Sequence, residues 1–335
     1  MSRYSQPLKA LLKKPVHAFA ARFGRHRLGS GGPALWVLMY HRILPIDDAR
    51  YAPEEPGMIV TPSSFRQQLQ LLKRHFELLP LSEWVARGRA GKALPQRACA
   101  ITFDDGWRDN YEYALPILQE EQVPATVFAV AEMIGTNRQF WPNRLMRALT
   151  AAGAERQRHF PWLPELADYT GQALSREQAA RVVAGCKRFA DEFIERQLDQ
   201  IEPHWQLDAP PPVLMDWPQL QTMQSSGLVE IGSHTCNHRR LVSDLDASVM
   251  EREIVASQTL LEQQLDRKVT LFCYPNGDVS NAAASLVNAH YQAAVTTRHG
   301  INGGATAVTN LSRLGIHEDI GNTPLRFSAR LSGWA

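Results

Sequence analysis

The sequence predicts an α/β fold built on a parallel β-sheet, either open or closed into a barrel. Short apolar segments of strand length alternate with longer segments whose apolar residues recur at helical spacing. Repeated β-then-α order is typical of parallel strands joined by right-handed crossovers. Because groups placed just after such strands share one face of the sheet, functional residues are expected at the carboxyl ends of the strands.

Individual elements can be placed from residue type, apolar spacing and capping signals. Thr61 is the expected N-cap of one helix, and the run Ala98–Phe103 is typical of a short buried strand that ends at Asp-Asp-Gly. Strands are predicted at 35–40, 76–79, 98–103, 124–130, 228–232, 269–273, 291–296 and 307–314. Helices are predicted at 62–75, from Ser82, from Asp109, and at 141–152, 175–201 and 247–265.

Composition restricts the class of protein. The chain has 335 residues, of which 44% are hydrophobic and 21% charged, as in a soluble globular protein of one large domain or two small ones. A net charge of +2 gives no support to nucleic-acid binding as the main task. The four cysteines have no CxxC spacing, so we expect buried free thiols in a reducing compartment.

Residues 1–33 are predicted to form a basic amphipathic segment and a glycine-rich linker before a domain that starts at Ala34. Residues 1–30 contain arginines and lysines but no acid, with apolar residues at roughly helical spacing. Such a helix can lie on an anionic membrane surface or pack on its own domain, although Pro15 argues against one uninterrupted helix. The segment lacks the apolar core of a secretory signal, and no stretch of the chain approaches the ~20 apolar residues of a membrane span.

Residues 137–212 interrupt the β-then-α order. Two helical stretches and a closing triple proline predict a helical insertion over one edge of the sheet. The insertion is either a cap that binds substrate or a spacer that only buries Trp141, Phe189 and Phe193.

Two short motifs at strand ends carry chemistry. Asp104 and Asp105 follow a buried strand, where two carboxylates do not both ionise unless a cation or strong hydrogen bonds compensate, although they could simply cap a turn. His234 and His238 follow another strand at i and i+4, a spacing that would suit zinc if one helical turn joined them. An isolated HxxxH pair is more often incidental. Together, however, the two motifs supply three ligands and one spare carboxylate, as metal-assisted hydrolysis requires.

The segments 102–106 (TFDDG) and 234–238 (HTCNH) in combination resemble the polysaccharide deacetylase family, also called the NodB-homology domain or carbohydrate esterase family 4. The resemblance is to the circularly permuted branch that includes poly-N-acetylglucosamine deacetylases. It implies a deformed (β/α) barrel of about seven parallel strands, here with the helical insertion, in a deacetylase domain over residues 34–335. It also implies hydrolysis of an N-acetyl group from an amino sugar.

The resemblance further implies roles for single residues. Asp105, His234 and His238 match the family's metal ligands, and Asp104 matches its general base; the implied cofactor is a divalent metal, with zinc preferred. For the general acid that protonates the leaving amine, His41 is preferred, and a late histidine, His317, is the alternative.

One loop departs from the family pattern. The family's Arg-x-Pro-Tyr type of loop corresponds here to residues 273–276 (CYPN), so Cys273 replaces the arginine. We expect Arg313 or Arg298 to orient the base in its place. The backbone N–H of Asn276 is the candidate donor to the oxyanion, since the proline before it has none.

These observations favour a metal-dependent deacetylase acting on an N-acetylhexosamine in a cell-surface polysaccharide, a glycolipid or a precursor of either. The alternatives are amide hydrolysis of a non-sugar substrate and a catalytically inactive carbohydrate-binding relative. The expected location is the cytoplasm, at the inner face of the membrane if residues 1–30 make a peripheral contact. Neither a nucleic acid nor a protein partner is expected.

Overall fold

The computed structural model describes residues 15–29, 31–151, 160–169, 173–204 and 211–334. Its centre is a closed barrel of seven parallel strands, which confirms the predicted barrel and decides between the open and closed sheets. The strands are β1 (Ala34–Tyr40), β2 (Arg42–Ile43), β3 (Ile59–Val60), β4 (Glu77–Leu78), β5 (Ala98–Phe103), β6 (Ala125–Ala129), β7 (Val229–Ser233), β8 (Leu271–Cys273), β9 (Ala293–His299), β10 (Asn302–Gly303) and β11 (Leu311–Gly315). The barrel consists of β1, β5, β6, β7, β8, β9 and β11.

The barrel closes because β1 has a parallel neighbour on each side. It pairs with β5 from Leu35 to Tyr40, and with β11 near its carboxyl end, where Leu38 lies opposite Leu314. β10 adds antiparallel to the amino end of β1, and β4 adds parallel to β5 outside the ring. All seven barrel strands therefore finish at one end, called here the upper end, and begin at the other, the lower end.

Apolar side chains fill the barrel and separate it from the surrounding helices. Alternate residues of six barrel strands, among them Val37 and Ala100, form an inner cluster with Trp84. The strand residues between them, such as Trp36 and Phe103, form a second cluster with the outer helices. The α-helices are Arg25–Leu28, Pro62–Lys73, Leu81–Arg89, Leu115–Glu121, Trp141–Thr150, Arg176–Cys186, Asp191–Ile201, Trp217–Ser225, Ala247–Glu251, Ser257–Leu265, Asn281–His290, Glu318–Gly321 and Pro324–Leu331, and the described residues 15–23 are also helical.

The single helix predicted at 175–201 is wrong, because the chain forms two helices there. Arg240, in the loop after β7, donates to the carbonyl of Lys187 at 2.7 Å, to that of Phe189, and to the carboxylate of Asp191 at 2.9 Å. Ala190 adopts an extended conformation between these contacts and begins the second helix. Arg240 thus ties the insertion to the upper end of the barrel.

Two further predictions concern the whole chain. All four cysteines are buried free thiols. Within the described ranges, no helix combines the length and apolar content needed to cross a bilayer. The predicted features of residues 1–14 and Ser30 lie outside those ranges.

Candidate active site

The site residues predicted from the sequence meet at the upper end of the barrel. A cavity of about 240 Å³ opens there, and its described lining includes His41, Asp104, Asp105, His234 and His238. The two aspartates and the first histidine of the HxxxH motif are buried, whereas the other two histidines are partly exposed. The strand ends therefore place all five side chains around one space.

Asp105, His234 and His238 form a compact cluster in the cavity wall. Asp105 Oδ1 lies 3.5 Å from His234 Nε2 and 3.4 Å from His238 Nε2. No helical turn joins the histidines. Instead Thr235 and His238 have φ values of 69° and 60°, and Thr235 Oγ1 accepts the His238 N–H at 2.9 Å. This tight turn brings the second imidazole back onto the carboxylate.

A second turn aims Asp105 at the histidines. Asp105 and Gly106 have φ values of 77° and 83°, and a non-glycine residue in this region costs about 1–3 kcal/mol. The Trp107 indole N–H holds the strained aspartate by donating to its Oδ2 at 2.8 Å. Glycine suits the positive φ at 106, and a Cβ there would lie 2.9 Å from Ile134 Cδ1, which would have to move.

The donor atoms of this cluster fit a divalent metal. His234 Nδ1 lies 2.8 Å from the Cys273 carbonyl oxygen, a contact that places the ring proton on Nδ1 and turns the Nε2 lone pair toward Asp105. Lone pairs of two imidazoles and one carboxylate then face each other, an arrangement that a cation stabilises. Two histidines and one carboxylate beside an open cavity are typical of catalytic zinc sites.

The pKa directions also favour one positive charge at this point. Burial lowers the pKa of His238 to about 4, and the neighbouring His234 acts in the same direction. Burial also lowers the pKa of His234, but Cys273 and Asp105 outweigh it and the pKa lies above its ordinary value. Burial raises the pKa of Asp105, yet the two histidines hold it below its usual range. The Asp105 carboxylate thus stays anionic, and one positive charge next to it is favourable.

Asp104 has a different environment, because Arg313 engages both of its oxygens. Arg313 Nη1 and Nη2 donate to Asp104 Oδ1 and Oδ2, each at 2.7 Å, from inside the barrel. Burial raises the pKa of Asp104, but this guanidinium more than offsets it and the pKa lies below its ordinary value. Of the two arginines predicted to orient the base, Arg298 instead donates to Ser312 and Asn310.

Cys273 occupies the space next to this ion pair. Its Sγ lies 3.6 Å from Asp104 Oδ2 and 3.2 Å from Arg313 Nη2, and burial raises the pKa of the thiol. Asp104, His234 and Cys273 form a second group with metal-ligating atoms. Because Arg313 already holds both carboxylate oxygens and the thiol stays protonated, the group around Asp105 is the better metal site.

His41 and His317 occupy different environments. His41 Nε2 lies 3.9 Å from Asp104 Oδ2, and the Asn110 amide donates to the His41 carbonyl at 2.8 Å. His317 is not among the described residues that line the cavity; its Nδ1 lies 3.4 Å from Asp319 Oδ2. Only the first of the two histidines therefore faces the space beside the aspartates.

The insertion forms the opposite wall of the cavity through Phe140, Trp141, Asn143 and Lys187. The Phe140 ring centroid is 5.1 Å from that of His238. The insertion also has an apolar core of its own, against which Trp141 packs. It therefore buries its own aromatic residues and lines the site as well.

Sequence reasoning missed a buried charge network behind the cluster. Arg42 is 2% exposed, donates to Asp109 Oδ2 at 2.9 and 2.8 Å, and pairs with Glu54. Its guanidinium carbon lies 4.3 Å from the centroid of the Trp107 ring, which in turn contacts Asp105. The only sign of it in the sequence is that charged residues follow the strand-end motifs closely: Arg42 follows His41, and Asp109 follows Asp104 and Asp105.

We expect Trp107→Phe to weaken metal binding without unfolding the protein. The phenyl ring keeps an aromatic side chain next to Arg42 and fills part of the site, but Asp105 loses the indole N–H that fixes it. Loss of such a supporting hydrogen bond typically lowers metal affinity about 10–100-fold. Competition with a chromogenic zinc chelator measures this, with thermal unfolding as the control. Unchanged affinity would contradict the positioning role.

Comparisons with known proteins agree with this geometry. A family model described as polysaccharide deacetylase matches residues 91–197 and 193–294, more than half of the chain. The poly-beta-1,6-N-acetyl-D-glucosamine N-deacetylase of Staphylococcus epidermidis is 34% identical over 108 residues, which cover 30% of this chain and 37% of that protein. The enzyme of the same name from Escherichia coli K12 is 33% identical over 86 residues, 25% of this chain and 13% of that protein. The match thus spans little more than a third of the first relative.

Solved structures share the fold over most of the chain. IcaB from Ammonifex degensii superposes with a TM-score of 0.59 at 18% identity, covering 89% of this chain and 98% of that one. The Streptococcus pyogenes deacetylase PplD, in complex with acetate, gives a TM-score of 0.57 at 20% identity, covering 88% and 97%. With the family model matched over most of the barrel, the chain belongs to the polysaccharide deacetylase family.

Proposed function

We propose that this protein is a zinc-dependent hydrolase that removes the N-acetyl group from N-acetylhexosamine units of a cell-surface polysaccharide. The observation that carries the proposal is the separation of two aspartates. Asp105 faces two imidazole nitrogens at 3.4 and 3.5 Å, whereas Asp104 is reserved in an ion pair with Arg313 beside the same cavity. One carboxylate is thus arranged to bind a metal and the other to move a proton.

In the proposed reaction each side chain has a defined task. Asp105, His234 and His238 hold the metal, which when bound supplies Lewis-acid activation of water and of the acetamide carbonyl. Asp104 accepts the proton of the attacking water as general base, kept anionic by its arginine partner. The N–H of Asn276, in the cavity wall with a φ of 54°, donates to the oxyanion.

His41 is the proposed general acid, because it faces the cavity and His317 does not. We expect His41→Gln to lower the rate of acetate release roughly 10²–10⁴-fold, since the leaving amine then lacks a proton donor. Metal content should stay unchanged. The matched control, His317→Gln, should keep most of the activity. If His317→Gln lost more activity than His41→Gln, His317 and not His41 would be the general acid.

Poly-β-1,6-N-acetylglucosamine is the first substrate to test, because both curated relatives named above carry it in their names. The aromatic wall from the insertion, with Phe140 and Trp141, is suited to pack against sugar rings. The cytoplasmic location expected from the sequence stays a prediction.

Acetate release tests the proposal. The purified protein is incubated with poly-β-1,6-N-acetylglucosamine, chitin oligosaccharides, lipid-linked N-acetyl sugars and simple acetanilides, before and after dipicolinate treatment and zinc addition. We expect release from the polysaccharide that chelation abolishes and zinc restores. Release from acetanilides alone would support the non-sugar amidase, and zinc binding with no release from any substrate would support an inactive carbohydrate-binding relative.

A further inference from the structure

An exposed aromatic and basic face lies at the lower end of the barrel, away from the cavity. It is formed by one side of the helix over residues 15–23, by the short helix after it and by the chain's last described residue. Its large apolar members are 41–72% exposed: Val16 59%, Phe19 59%, Phe23 41%, Leu28 72% and Trp334 56%. The described residues contain nine exposed large apolar side chains, and these are five of them. We call this set the aromatic–arginine face, together with Arg22, Arg25 and Arg27.

This face is held in place rather than frayed. The other side of the helix is buried through Ala20 and Ala21. A Cβ at Gly24 would overlap the Ser332 side chain, so the helix packs closely against the carboxyl-terminal segment. Arg97 donates to the carbonyl of Arg27 at 2.9 Å. The structure therefore fixes the apolar side chains in an outward position.

The charge of the face is uniformly positive. Residues 15–29 contain three exposed arginines and no carboxylate, and none of these arginines has an ion pair with a described residue. Phe19 stacks on Trp334 with ring centroids 6.3 Å apart, and Phe23 lies 5.0 Å from Phe19. Clustered aromatic rings flanked by arginines favour a surface that is anionic outside and apolar just below, which describes an anionic bilayer.

We propose that the aromatic–arginine face binds the surface of an anionic membrane and holds the cavity on the side away from the bilayer. The face lies beside the amino ends of β1 and β5, whereas the cavity lies at their carboxyl ends. A strand of seven residues spans roughly 20 Å along its own direction, so allowing for the tilt of barrel strands the cavity stands on the order of 15–20 Å above this face. If the proposed deacetylase function holds, on which this last step rests, the geometry favours a long glycan over a sugar attached directly to a lipid.

Vesicle binding tests the membrane contact independently of catalysis. The full chain is sedimented with phosphatidylcholine vesicles that contain or lack phosphatidylglycerol. We expect binding to the anionic vesicles only, weakened on the order of tenfold by Phe19→Ser with Phe23→Ser, and also by added salt. The matched control, Ile46→Ser, removes an apolar side chain that is 72% exposed in the loop after β2 and should bind like the parent.

Orientation is tested with one introduced thiol at a time, since the four native cysteines are buried. Leu28→Cys and Ile46→Cys replace side chains that are both 72% exposed, one on the face and one near the upper end. The emission of an environment-sensitive dye attached to the thiol should shift to the blue on anionic vesicles when the dye is at position 28, but not when it is at position 46. Equal shifts, equal binding to both kinds of vesicle, or a dimer that Phe19→Ser dissociates would overturn the proposal.

Discussion

Asp104→Asn is expected to lower acetate release roughly 10²–10⁴-fold while the zinc content stays the same. Asparagine keeps the shape of the side chain but cannot accept the proton of the attacking water. Asp105 and the two histidines are untouched, so metal binding should persist. Acetate assays and elemental analysis of the dialysed protein measure the two quantities. An active variant, or one that loses its zinc, would contradict the separation of base and ligand.

This substitution has a structural side effect that needs its own control. It leaves the completely buried Arg313 without a counter-charge, which costs about 3–5 kcal/mol of stability. The double variant Asp104→Asn with Arg313→Gln removes the unpaired charge and should recover part of the unfolding free energy, but not the activity. Arg313→Gln alone should move the acid limb of the pH–rate profile to higher pH, because burial raises the pKa of Asp104 and the variant loses the guanidinium that opposes it most.

His238→Gln is expected to abolish activity by a different route, the loss of the metal. Removal of one of three ligands should reduce zinc affinity by roughly 100-fold or more, beyond the effect of losing a supporting hydrogen bond. The parent, stripped with dipicolinate, should regain activity when zinc is added, whereas this variant should not. His290→Gln, which changes an exposed histidine at the end of an outer helix, is the matched control. Full zinc occupancy in His238→Gln would exclude His238 as a ligand.

The barrel and the meeting of Asp105 with His234 and His238 could be predicted because both depend on short stretches of sequence. A buried strand is visible in its apolar run, and parallel strands bring their carboxyl ends together whatever the details of packing. The two motifs at 104–105 and 234–238 therefore pointed to one place. The conformation of the turn between the histidines could not be predicted, because nothing in HTCNH reveals the left-handed conformations of Thr235 and His238.

The remaining features depend on contacts between distant segments. Whether Arg313 or Arg298 pairs with Asp104 is decided by which of them points into the barrel. The helix break at 187–190 comes from Arg240, about fifty residues later. The ion pairs of Arg42 with Glu54 and Asp109 form only when the segments that carry these residues meet beside the Trp107 indole. Spacing along the chain does not show which residues pair in any of these contacts, since each pairing is set by tertiary packing.

The ion pair between Asp104 and Arg313 also makes the site dependent on completion of the fold. The two residues are 209 positions apart, and the arginine belongs to β11, which pairs with β1 to complete the ring. During synthesis, Asp104 therefore emerges long before the cation that keeps it charged when buried. Catalytic competence is then expected only once the carboxyl-terminal strand has docked, so a growing or truncated chain lacking β11 would contain the proposed metal ligands but not the cation that supports the proposed base.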